Sequence, residues 1–157
     1  MSGEIIRIIL LCALAGLLVC AAVTDIRSRI ISNRLNLLIE LIAPLYWLES
    51  GIPAWPDMAL QVGLGIGMFG IFAALFALGL MGGGDVKLLA AVALWFPWQA
   101  LGLLLLLMAL LGGIVTLMTV IHHRLSRRLG QPEVPYGVAI SLAAMWLVGE
   151  RIIYHFA

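Results

Sequence analysis

Charge is what this chain has least of. Asp, Glu, Lys and Arg make up 11% of its 157 residues, against about a quarter in soluble domains. Hydrophobic residues make up 64%, and the mean hydropathy is +1.15. So few polar side chains cannot cover a surface that faces water, and a soluble globular domain is excluded. Cysteine is nearly missing as well. Cys12 and Cys20 lie in one apolar run with no CxxC pair, which argues against a cysteine zinc site or a disulfide framework. Both are expected as small buried apolar residues. Polar/apolar alternation is missing throughout, which argues against a membrane barrel. There is no small-residue cleavage site followed by a soluble domain, so the apolar N-terminus reads as a retained first span.

What the chain does have is long apolar runs, at about 5–23, 35–49, 58–81, 86–97, 99–121 and 136–154. A helix needs about 20 residues to cross a bilayer, so the second and fourth are short and are expected to be tilted, extended or packed inside a bundle. The fold expected is an all-α integral membrane protein, a bundle of about six transmembrane helices forming one domain over residues 1–157. The segments between the runs alternate in charge. Arg27, Arg29, Arg34, Lys87, Arg124, Arg127 and Arg128, seven of the nine basic residues, fall on one side. The positive-inside rule makes that side cytoplasmic and puts both termini outside. Trp47, Trp55, Trp95 and Trp98 fall near the outer ends, as interfacial aromatics do.

This arrangement brings Asp25, closing span one, and Asp85, opening span four, to the same membrane face. Each has a structural reading. Asp85 can cap the helix that follows it, behind an ordinary glycine turn, and Asp25 is four residues from Arg29, the spacing of a helical ion pair. Together they read differently, because ionisable groups near the bilayer are costly and tend to be functional. Two carboxylates sharing a site hold a single proton between them, the state an aspartic protease uses to activate water with one group and polarise a carbonyl with the other. Gly82, Gly83 and Gly84 then have a second purpose, letting a peptide backbone and the partner aspartate come close to Asp85.

Three motifs carry a family resemblance. The stretch from Asp25 to Leu35, with Arg27, Ile31, Ser32 and Asn33 between them, resembles the D-x-R-x-x-x-I-P-N-x-L segment of type IV prepilin peptidases. Gly82-Gly83-Gly84-Asp85-Val86-Lys87-Leu88 resembles their G-x-G-D-x-K-L signature, and Pro135-Tyr136-Gly137-Val138-Ala139 resembles the segment opening their last span. The resemblance implies a GxGD-type intramembrane aspartic protease with Asp25 and Asp85 as its catalytic pair. It also implies a prepilin or pseudopilin substrate cut after its leader, and a place in the bacterial cytoplasmic membrane with the active site at the cytoplasmic face. Ser32 stands where the family usually has proline, leaving Ser32 or Asn33 to cap span two. Bifunctional members carry a CxxC-bearing segment and N-methylate the new pilin terminus. This chain lacks those cysteines and so resembles the short, peptidase-only form of Tad/Flp-type pilus systems, with no methyltransferase or zinc segment.

The remaining candidates have weaker readings. Gly65-Ile66-Gly67-Met68-Phe69-Gly70 matches GxGxxG, but inside a span it cannot work as a dinucleotide turn. Gly63 and Gly67 read instead as a small face for close helix approach. Glu40, within span two, lines a polar cavity above the aspartates or bonds a neighbouring helix. Lys87 steers substrate or is a solvated lysine snorkelling to the interface, and Asn33 supports the site. His122 and His123 have no further ligand beside them and read as part of a basic loop. No metal, organic cofactor or nucleic acid is expected. The partners expected are the bilayer and the substrate's apolar stem, docking laterally on the Gly-rich third span. The alternative reading is a small proton- or cation-coupled transporter using the same carboxylates.

Overall fold

The computed structural model of the chain describes residues 2–126 and 134–156. Among them are six α-helices and no strand: α1 (Ser2–Ser28), α2 (Asn33–Glu49), α3 (Ala59–Ala77), α4 (Gly83–Ala93), α5 (Trp98–Leu125) and α6 (Tyr136–Phe156). One π-turn, Ala54–Met58, leads into α3. Four of these segments are long and apolar enough to cross a bilayer: Gly3–Ser28, Ala54–Ala77, Trp98–Leu125 and Tyr136–Ile153. The protein is a multi-pass, all-α membrane protein.

The helix ends follow local chemistry. Ser32, extended at φ −68° and ψ 144°, accepts the Leu35 N–H on its hydroxyl and starts α2. The third span was expected to run to Met81, yet α3 stops at Ala77. Gly79 takes φ +73°, its N–H donates to the Phe76 carbonyl, and the Leu80 N–H donates to that of Leu75. This is the left-handed glycine closure that ends helices. Helix α4 ends at Ala93, short of the expected 97, where the bonding tightens to i→i+3: the Trp95 N–H donates to the Val92 carbonyl at 3.0 Å and the Phe96 N–H to that of Ala93 at 3.4 Å.

The outside of the bundle is apolar, as lipid allows. Ile5, Ile9, Ile26 and Leu41 are exposed, and so are Cys12 and Cys20, which were expected to be buried. They lie on the outer surface of α1, where a thiol is as acceptable to hydrocarbon as a methyl. The core runs through Leu14 and Leu18 of α1, Ile39 and Ala43 of α2, and Ile140, Ala143 and Leu147 of α6. At its centre is α4, in contact with α2, α3 and α6. Eight of its eleven residues are buried. At about 1.5 Å per residue α4 spans roughly half of a 30 Å hydrocarbon layer, so it is packed inside the bundle rather than crossing it alone.

A helix that ends inside a membrane protein must find donors for its last carbonyls, and here the neighbouring helices supply them. The Trp47 indole N–H donates to the Leu94 carbonyl at 2.8 Å, and Gln61 reaches the same oxygen at 3.5 Å. Arg151 donates to the Trp95 carbonyl at 2.9 Å. The Trp95 indole in turn donates to the Ile39 carbonyl at 3.0 Å. Trp47 and Trp95 are therefore buried structural groups, not interfacial aromatics as expected, whereas Trp55 and Trp98 are exposed. Trp47→Phe removes the shorter of the two donors to Leu94, and a loss of about 1–3 kcal/mol is expected. Urea or thermal unfolding in detergent measures it, with an unchanged midpoint as the contrary result.

Helix α3 meets α4 through Gly65, where an added Cβ would stand 2.5 Å from the Leu94 side chain. Gly63 and Gly67, expected to serve that purpose, have nothing within 4 Å of such a Cβ. The small face of α3 is thus turned outward, and the residue between the two glycines makes the close approach.

Candidate active site

The aspartates come from different helices and meet over the start of a third. Asp25 lies in the last turn of α1, and Asp85 is the third residue of α4. Both are buried, at 4% and 8% exposure. The N-cap of α4 is Gly82, not Asp85; Asp85, three residues on, still serves the helix start, because its carboxyl reaches back to the Gly82 N–H. Each carboxyl lies within the other's electrostatic reach, and the Gly137 N–H at the head of α6 faces both. The next N–H, of Val138, donates to Asp25 Oδ2 at 3.2 Å. The Tyr136 N–H is turned onto the Val134 carbonyl at 3.0 Å, and the Val138 N–H is shared between the Pro135 carbonyl, at 3.3 Å, and Asp25.

The chain reaches this arrangement through a left-handed turn. Arg29, just past α1, takes φ +57°, which folds residues 30–32 back so that Ile31 packs, 6% exposed, between the glycines of α4 and α6. The Arg29 N–H bonds the Asp25 backbone carbonyl at 3.0 Å and closes the helix, and the Arg29 charge also acts on the Asp25 carboxyl, as the spacing suggested.

The three glycines before Asp85 are close-packed. A Cβ on Gly82 would stand 2.8 Å from Asp85 Oδ2, one on Gly83 3.3 Å from the Phe76 ring, and one on Gly84 3.3 Å from Ile31 Cβ. Gly84 also offers its carbonyl to the Asn36 amide at 3.5 Å. The tightest glycine of the site is one to which the sequence assigned no role. A Cβ on Gly137 would come within 2.5 Å of Ile31 Cδ1 and 2.8 Å of Asp25 Oδ2. The signal available in the sequence was a glycine directly after Pro135-Tyr136, at a helix start.

Lys87 is exposed and donates to Asn33 Oδ1 at 2.8 Å, tying α4 to α2 beside the aspartates, and its charge also reaches Glu40. An exposed link of this kind contributes little. Lys87→Met is expected to lower stability by no more than about 1 kcal/mol, read as a small shift in melting temperature. Glu40 borders a groove of about 360 Å³ between α2 and α3, with Pro44, Ile66 and Phe69 on its walls and Ala90 and Leu94 of α4 at its base. The structure brings together Asp25, Asp85, Gly82 and Gly84, with Asn33 and Lys87 at the edge. Among the described residues, no group of three or more His, Cys, Asp or Glu side chains forms a metal site.

The site is thus two buried carboxyls at one end of a helical membrane bundle. The chain is a member of the type IV leader peptidase family, whose sequence profile matches residues 12–117. It is 30% identical over 138 residues to a prepilin leader peptidase/N-methyltransferase of Bacillus subtilis (strain 168), covering 88% of this chain and 55% of the relative. Proteins of the same description from Aeromonas salmonicida (strain A449) and Aeromonas hydrophila are each 39% identical, over 69 and 70 residues, covering 43% of this chain and 22% of the relative in each case. The chain thus spans about half the length of the Bacillus relative and about a fifth of the Aeromonas ones. No solved structure matches it.

Proposed function

We propose that the chain is an aspartic endopeptidase of the membrane that removes the leader from type IV prepilin-like precursors, with Asp25 and Asp85 as the catalytic pair. The observation that carries this reading is the meeting of two buried carboxyls over the Gly137 and Val138 amides in a chain of the leader peptidase family.

The chemistry needs one proton between the two acids. Asp25 takes the base's part, because beside the Val138 N–H it has the Arg29 cation acting on it, and a cation favours the ionised carboxylate, whereas among the described residues no cation acts on Asp85. It removes a proton from water as the water oxygen attacks the scissile carbonyl carbon. Protonated Asp85 gives a hydrogen bond and then its proton to the carbonyl oxygen. Collapse of the tetrahedral intermediate breaks the C–N bond: the ionised Asp85 takes back a proton from one of the two hydroxyls as the C=O bond reforms, and the proton held by Asp25 passes to the leaving amine. Gly82, Gly83 and Gly84 keep the Asp85 carboxyl and Ile31 close to their backbones, and Asn33 and Lys87 fasten α2 to α4 at the rim.

The substrate's apolar stem lies along the groove between α2 and α3, starting at Glu40, with the outward-facing Gly63 and Gly67 offering room for a second helix. The excess of basic residues at the aspartate end makes that end cytoplasmic in the bacterial inner membrane, with both termini outside. The alternative of a proton- or cation-coupled transporter finds no support in the relatives.

Co-expression with a type IV prepilin tests the reading. The pilin should shorten by its leader, and N-terminal sequencing should start at the residue after the cut. A leader left intact, with both proteins inserted, would overturn it.

A further inference from the structure

The end of the bundle opposite the aspartates holds a second group of charges, which leader cleavage does not use. Arg7 of α1, Tyr46 of α2 and Arg151 of α6, with Ile8, Leu11 and Ile152, line a cavity of about 190 Å³. Arg7 precedes Asp25 by eighteen residues of one helix, ~27 Å at 1.5 Å per residue. That is close to the ~30 Å hydrocarbon thickness of a bilayer, so the cavity lies at the far membrane interface.

Its cations are held and incompletely satisfied. One terminal nitrogen of Arg151 donates to the Tyr46 hydroxyl at 3.2 Å and to the Trp95 carbonyl at 2.9 Å. The guanidinium carbon stands 5.1 Å from the Phe96 ring centre and 5.8 Å from that of Tyr46. These contacts occupy one edge of the fork. Arg7 Nε is buried and has no hydrogen-bond partner among the described residues. No carboxylate is among the described residues lining the cavity. A buried guanidinium nitrogen without an acceptor, as Arg7 Nε is, is costly, and two guanidiniums lining one space match the oxygens of a phosphate. The remaining wall is aliphatic. The volume falls below the roughly 300–1,000 Å³ that encloses a whole drug-sized ligand, which leaves space for a headgroup with its chains outside.

We propose that this cavity binds a phosphate-ester anion between Arg7 and Arg151, supplied by the headgroup of an anionic phospholipid in the far leaflet. The aliphatic wall of Ile8, Leu11 and Ile152 meets the first part of the acyl region. The site is independent of the acid pair and of the leader peptidase reading.

Thermal unfolding of the purified chain in a neutral detergent tests this, with added short-chain phosphatidylglycerol, short-chain phosphatidylcholine, or glycerol phosphate. Phosphatidylglycerol should raise the melting temperature in a saturable way, well beyond phosphatidylcholine. Arg7→Gln should weaken that response about tenfold, the loss of one charge-assisted contact. An equal response to glycerol phosphate upholds the anion site and assigns it to a soluble ester. Equal responses to the two lipids, or an undiminished response in R7Q, overturn the proposal. Native mass spectrometry of the wild-type chain gives a second reading that needs no variant: phosphatidylglycerol adducts should outnumber phosphatidylcholine adducts from an equimolar mixture, and parity overturns it.

Discussion

Asp25→Asn and Asp85→Asn should each reduce leader cleavage by at least about a thousandfold, within the range that loss of a positioned acid or base removes. The amide keeps the size of the carboxyl, so packing around 4% and 8% exposed side chains is preserved. It can neither take a proton from water nor pass one to a carbonyl oxygen. Both variants should therefore accumulate in the membrane at wild-type levels while precursor persists. The measurement is the ratio of processed to unprocessed pilin, alongside the amount of inserted enzyme. Persistent cleavage in either variant would remove that aspartate from the mechanism. Loss of the inserted protein itself would show that the carboxyl is structural.

Gly137→Ala should lower cleavage about a hundredfold with the chain still inserted, the scale of a misplacement near 1 Å at a reacting centre. The new methyl would lie 2.8 Å from Asp25 Oδ2 and 2.5 Å from Ile31 Cδ1, so either the carboxyl swings off the Val138 N–H or the head of α6 retreats. Both movements separate the acid pair from its donors. Gly16→Ala is the matched control, because nothing lies within 4 Å of its added carbon. Cleavage by G137A at the wild-type rate would reduce the α6 amides to bystanders.

The sequence revealed the parts of this fold that depend on sums over many residues. Hydropathy over twenty-residue stretches marked six helices, and alternating loop charge brought Asp25 and Asp85 to one end. Properties set by the rotation of a helix about its own axis were hidden. Helix α3 is apolar all round, so nothing in its composition distinguishes Gly65, which packs on Leu94, from Gly63 and Gly67, which face outward. For the same reason Cys12 and Cys20 were not recognised as exposed. The shortness of α4 was legible, and of the readings it left open the structure takes packing inside the bundle; the bounds of the helix were not, since it runs from Gly83 to Ala93 rather than from 86 to 97. The amides of Gly137 and Val138 escaped notice because backbone donors have no side-chain signature.

The capping of α4 also constrains how the chain is made. Asp85 stands on a helix too short to partition into a bilayer as an independent span, and one of the carbonyl contacts just past its end comes from Arg151 of α6. Synthesis runs from the N-terminus, so Asp85 emerges well before the group that finishes its support. Until α6 arrives the acid pair also lacks the Gly137 and Val138 amides. A nascent chain held before α6 would have both aspartates but no assembled site, so the acid pair gains its backbone donors only once α6 is in the membrane.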